Sequence, residues 1–145
     1  MIQNEREYRI TNAWLHRFER DLEHLERTTA KAGAHPKAHQ VRLNATRSQI
    51  QDLRQQLAGY DALRDHQISS VTVGSLDGLA DALIQARIAA GFTQEELAQK
   101  LGLKKQQVQR YEATKYATAN LERLQAIATA LEVQVRTEVA FANRE

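Results

Sequence analysis

The chain contains no cysteine among its 145 residues, so disulfides and thiolate metal sites are excluded. Long apolar runs are missing as well. Nothing approaches the ~18 residues that a membrane-spanning helix needs. The opening Met-Ile-Gln-Asn-Glu-Arg-Glu lacks the apolar core of a secretion signal, so a cytoplasmic protein without membrane attachment is expected. A large excess of one charge is also absent. The formal net charge is +2, too small to argue for nucleic acid alone. The pattern holds no phosphate-cradling glycine loop, no nucleophile–base pair and no paired catalytic carboxylates, so an enzyme is not expected. His35 and His39 sit four apart, but His35 precedes Pro36, and neither cysteine nor a carboxylate cluster accompanies them. Solvated histidines are the simpler reading, and neither metal nor cofactor is expected.

What is present describes a folded, mainly α chain. Hydrophobic residues make up 42% and charged residues 26%, which argues against wholesale disorder. The length suits one ordinary domain, or a small domain joined to an extended helical element.

The organisation favours the second arrangement. In residues 1–66, Tyr8, Thr11, Leu15, Phe18, Leu22, Leu25 and Thr29 are spaced alternately by three and four, which is a heptad seam. Ile10 and Trp14 widen that stripe. Gly33 and Pro36 interrupt it, placing a turn at residues 30–35 and Pro36 near the start of the next helix. A second seam follows at Leu43, Thr46, Ile50, Leu53, Leu57 and Tyr60. The result is a coiled-coil-like α-helical hairpin. A two-helix hairpin encloses little core, so it is expected to pack against a second copy of itself or another partner. Residues 67–75 change character. Ile68-Ser-Ser-Val-Thr-Val is β-branched and without helical period, so it reads as a linker or short strand. The strand reading is preferred because Val133-Gln-Val-Arg-Thr-Glu-Val-Ala-Phe alternates in the same way, and a short β-strand pair between the two is expected.

Residues 76–145 carry the chemistry. Ser75 is an N-cap for a helix with Leu76, Leu79, Ala80, Leu83, Ile84, Arg87 and Ile88 at helical spacing, and Gly91 stops it. Thr93 and Glu96 form a capping box that opens a short helix, Gln94 to Leu101, which Gly102 ends. Another helix runs from Lys104 to about Ala113, and a fourth from about Leu121 to Leu131 behind Asn120. Two short helices joined by a glycine turn must cross steeply. Ala98 is the small residue at the approach, and Leu97, Leu101, Leu103, Val108 and Tyr111 are the apolar anchors. Positive charge gathers locally: Lys100, Lys104, Lys105, Arg110 and Lys115 stand against Glu112 alone.

Phe92-Thr-Gln-Glu-Glu-Leu-Ala-Gln-Lys-Leu-Gly-Leu, followed by Val108, Tyr111 and Glu112, resembles the lambda-repressor-like, or XRE-type, helix-turn-helix family over residues 76–131. The recognition helix opens on Lys104-Lys105 rather than a Ser/Thr cap, and no glycine follows Glu112. The resemblance implies that the second motif helix lies in the major groove of double-stranded DNA. By alignment its exposed positions are Lys104, Lys105, Gln106, Gln107, Gln109 and Arg110. Gln suits adenine N6 and N7, and Arg or Lys suits guanine O6 and N7. Lys105, Gln106 and Arg110 are the leading base readers, then Gln109, while Gln107 is the one that could face the backbone. Gln94 and the free amides of its helix would grip a phosphate, with Lys100, Lys115 and Tyr116 as weaker candidates. Arg87 and Glu112 would form a structural ion pair. The expected function is a dimeric transcriptional repressor. The alternative is an antitoxin that binds DNA through this domain and a protein toxin through the hairpin.

Overall fold

The computed structural model describes residues 1–28 and 35–142, which divide into two compact units, Met1–Ser70 and Val71–Glu145. The expected seam position Thr29, and Gly33 with most of the expected turn, lie outside the described residues. Among those described there are six helices and no strand.

The first unit is an antiparallel hairpin of α1 (Glu5–Arg27) and α2 (Pro36–Arg64). Asn4 opens α1 by accepting from the Glu7 amide at 2.9 Å, and the Glu7 carboxylate returns to the Gln3 amide at 2.8 Å. The first satisfies a donor that a helix start leaves unpaired, and the second ties the preceding residue to the first turn. Pro36 occupies the first turn of α2, where its missing N–H costs nothing, and His35 Nδ1 accepts from the Lys37 amide. The second seam is buried at Leu43, Ile50, Leu53, Leu57 and Tyr60, with Leu63 beyond them. Each such aliphatic side chain contributes about 1.5–3 kcal/mol. On α1 only Leu15 is as deep, while Tyr8, Thr11, Phe18, Leu22 and Leu25 are half-buried. Polar contacts hold the register. The Tyr8 hydroxyl donates to Asp61, the Tyr60 hydroxyl donates to Glu5, and the two rings lie 5.3 Å apart. Arg54 and Arg47 reach across to Glu19 at 2.7 Å and Glu26 at 3.1 Å. The hydrogen bond from Arg54 holds the Glu19 carboxyl below the usual carboxylate range.

The second unit contains α3 (Leu76–Ala89), α4 (Gln94–Leu101), α5 (Lys105–Ala113) and α6 (Leu121–Ala130). Leu83, Ile84, Ile88, Leu97, Ala98, Val108, Ile127 and Leu131 form its core. Leu76, at the first turn of α3, is instead largely exposed. Side chains of Ser75, Thr93 and Asn120 cap α3, α4 and α6.

The helix ends share one device. After α2, α3, α4, α5 and α6, a left-handed residue is followed by an amide that bonds five residues back: Gln67 to Ala62, Phe92 to Arg87, Leu103 to Ala98, Tyr116 to Tyr111 and Val133 to Ala128. This is the Schellman motif. Gly91 (φ 74°) and Gly102 (φ 67°) occupy the left-handed position after α3 and α4. His66, Lys115 and Glu132 hold it at the other three ends, with φ of 57°, 53° and 55°.

The expected β-strand pair does not form. Residues 67–75 are a linker after the turn at His66, and residues 134–142 carry no regular structure and no backbone pairing. Alternation of apolar residues is necessary for a half-buried strand, but a strand also requires a neighbour for its backbone groups. Neither segment meets one: Val71, Val73, Val135, Val139 and Phe141 are all exposed.

Candidate nucleic-acid interface

The α4–turn–α5 segment is built around a small residue and a glycine. Ala98 is buried on α4, at 1% exposure. Gly102 reverses the chain, and the Leu103 amide returns to the Ala98 carbonyl at 2.8 Å. No atom lies within 4 Å of where a Cβ on Gly102 would point. What requires glycine there is φ rather than space.

The inner side of α5 is held by charge. The Glu112 carboxylate is 0% exposed and accepts from Arg87 Nε and Nη2 at 2.5 and 3.0 Å, and from Gln94 Nε2 at 2.7 Å. Arg87 Nη1 donates onward to the Phe92 carbonyl at 2.7 Å. One carboxylate thus ties α5 to α3, to α4 and to the loop between them. A two-pronged guanidinium contact with an added amide donor is the geometry that offsets the desolvation of a buried charge.

The outer side is uncommitted. Lys104, Lys105, Gln106, Gln107, Gln109 and Arg110 are all exposed. At ~100° per residue, Gln106 and Arg110 lie nearly opposite the buried Val108 and Glu112. The side chains of Lys105, Gln106, Gln109 and Arg110 form no hydrogen bond or ion pair among the described residues. Lys104 is the cap residue rather than the first helical one. An ammonium has no acceptor with which to cap a helix. The Gln107 side chain instead accepts from the Lys104 amide at 3.0 Å, giving one arm of a capping box.

Three candidates are placed differently from their expected roles. Gln94 is 9% exposed with its side-chain amide turned inward to Glu112. Lys115 is paired with Asp81 at 2.5 Å. Tyr116 is buried at 5% exposure, stacked on Tyr111 with centroids 5.9 Å apart, and its hydroxyl has no partner. Burial, then the nearby Glu112 charge, pushes that phenol well above its ordinary pKa. Lys100 remains exposed, its ammonium 4.6 Å from the centre of the Phe92 ring.

The start of α4 carries a complete capping box. Thr93 Oγ1 accepts from the Glu96 amide at 3.1 Å, and Glu96 accepts from the Thr93 amide at 2.8 Å. That backbone hydrogen bond holds the Glu96 carboxyl below its ordinary pKa. The amides of Gln94 and Glu95 are left without an intrahelical acceptor.

The role of Gln94 in the buried network was not signalled by the sequence, because its partner lies 18 residues away. Residues 83–137 match the family described as Helix-turn-helix. No curated protein and no solved structure matches the chain. Residues 83–137 therefore form a helix-turn-helix of the XRE, lambda-repressor-like type, which supports a DNA-binding transcriptional regulator. No helix among the described residues is long and apolar enough to cross a membrane, and those residues contain no His/Asp/Glu group able to hold a metal.

Proposed function

We propose that this protein is a dimeric, sequence-specific repressor, in which residues 76–145 read double-stranded DNA and residues 1–66 join two copies. The observation that carries the reading is the two-sidedness of α5. Its inner side is locked on Glu112, while its outer side offers Lys105, Gln106, Gln109 and Arg110 with nothing bound to them. A rigid back and an uncommitted face are what base readout requires. Lys105, Gln106 and Arg110 contact base edges, and Gln109 supports them. Lys104 and Lys100 meet phosphates. Gln107 and Lys115 contribute less, since one caps α5 and the other already faces Asp81. At α4 the phosphate contact falls to the backbone amides of Gln94 and Glu95, because the Gln94 side chain is engaged.

The dimer reading rests on α1. Ile10 and Trp14 are 48% and 46% exposed, beside a half-buried Phe18 6.1 Å from the Trp14 ring. A symmetric hairpin dimer would cover this stripe and place two half-sites about 10 base pairs apart or a multiple of that. The same open stripe supports a second reading, an antitoxin whose hairpin holds a small protein toxin.

Selection of bound sequences from random DNA at fixed salt tests the proposal. Enrichment of a palindrome, lost in R110A while thermal stability is kept, is the expected result. Recovery of unselected DNA, or unchanged preference in Q106A and R110A, would overturn it. Co-purification of a small protein bound to the hairpin would favour the antitoxin reading.

A further inference from the structure

The segment after α6 is left over from the fold. Val133 is half-buried, and beyond it Val135, Val139 and Phe141 are 47%, 72% and 87% exposed. The backbone of residues 134–142 makes no hydrogen bond among the described residues. A run of unpaired donors and acceptors is a template for strand pairing once it is extended. Its sequence indicates what it pairs with.

Positions 133, 135, 137, 139 and 141 lie on one side of an extended chain and read Val, Val, Thr, Val, Phe. Positions 134, 136, 138 and 140 lie on the other and read Gln, Arg, Glu, Ala. When this segment is laid antiparallel on a second copy of itself, centred on Thr137, Val135 meets Val139 and Val133 meets Phe141. On the opposite face Arg136 meets Glu138, twice by symmetry. A slip of two residues either way sets Arg136 against Arg136 or Glu138 against Glu138, and a slip of one sets apolar against charged faces. Cross-strand pairs of opposite charge stabilise and like pairs destabilise, so one register stands apart.

We infer that residues 133–141 form a two-fold antiparallel β-ribbon with the same residues of a second copy, joining two helix-turn-helix units directly. The contact is isologous, as a closed dimer requires. A two-stranded ribbon is marginal in isolation. Its strength, though not its register, rests on the hairpin dimer proposed above, which would hold the tails at high effective concentration.

The absence of native cysteine permits a clean test on the full chain. T137C places two thiols across the two-fold axis, with Cα atoms ~4.5–5.5 Å apart in either kind of antiparallel pair, within disulfide range. Q134C is the control, since its two copies would sit six residues apart along the ribbon, ~20 Å. Under mild oxidation T137C is expected to form disulfide dimer at least about tenfold faster than Q134C. Adding R136E or E138R to T137C should slow the reaction, and R136E with E138R together should restore it. Equal rates for T137C and Q134C, or no rescue by the charge swap, would overturn the inference. Sedimentation of the reduced protein separates the two readings. A dimer in which T137C fails to cross-link rejects the ribbon and leaves the hairpin dimer standing. A weakly associating chain that still cross-links selectively at T137C rejects the hairpin dimer and retains the ribbon.

Discussion

The two units solve the same problem of burying apolar helix faces with different completeness. In the helix-turn-helix unit four short helices share one core, and even a carboxylate and a guanidinium end up inside, at 0% and 2% exposure. In the hairpin two long helices share one seam. That seam is closed on α2 and open along one edge of α1, where Ile10 and Trp14 face outward. Short helices crossing at angles enclose volume, whereas a lone pair of parallel rods cannot cover more than about one stripe of each. The helix-turn-helix unit is therefore built to hold one surface rigid, and the hairpin is left with surface to share.

The largest expected break is in the buried network. E112A or R87A leaves its partner charge buried and uncompensated, and should cost about 3–5 kcal/mol. DNA binding measured across a urea series should be lost at a much lower denaturant concentration than in the parent. Replacing both residues by apolar ones, as in R87M/E112L, should recover most of that loss, leaving Gln94 to find solvent. If the double variant is as unstable as the singles, the network contributes more than matched charges.

In the hairpin, L53A should cost about 2–5 kcal/mol, because it removes a residue from the closed side of the seam. Trp14 is the one tryptophan of the chain and lies in this unit, so its emission follows the effect. W14A should cost far less stability by helical ellipticity, since the side chain is 46% exposed, while weakening self-association. Equal losses in L53A and W14A would mean that the two edges of the seam are not as unequal as their exposures.

G102A should cost about 1–2 kcal/mol, entirely through the left-handed backbone, since no atom obstructs the added methyl. The smallest effect is expected at Tyr116. Y116F removes a buried hydroxyl that has no partner and should be neutral or stabilise by about 1 kcal/mol. The pH dependence has a definite sign. Burial raises the phenol above its ordinary value of 10.0 in the folded chain, so its contribution is complete below pH 10.0 and declines above it as the unfolded chain loses the proton. Thermal melts from pH 9 upward should therefore fall less steeply in Y116F.

Much of this was legible in advance where a local rule applied. Thr93 and Glu96 are three apart, Gly91 and Gly102 mark two helix ends, and the seam repeats set both hairpin arms. The ends at His66, Lys115 and Glu132 were not legible, because these side chains do not announce a left-handed backbone. Lys115 is tolerated there because Tyr116 stacks back on Tyr111, the hydrophobic contact that completes a Schellman end. The strand pair was misread for a related reason: alternation at 68–73 and 133–141 specifies faces but supplies no neighbour.

Periodicity, caps and glycines act within about one helical turn, so the order of the letters was sufficient to set six helices and the outward-looking residues of α5. Which polar groups turn inward depends on atoms brought together from distant parts of the chain. Gln94 and Glu112 are 18 residues apart, Arg87 and Glu112 25 apart, and only packing made a bonded cluster of them. A buried charge survives where its partners arrive with the right geometry, and that condition is met, or not, in three dimensions.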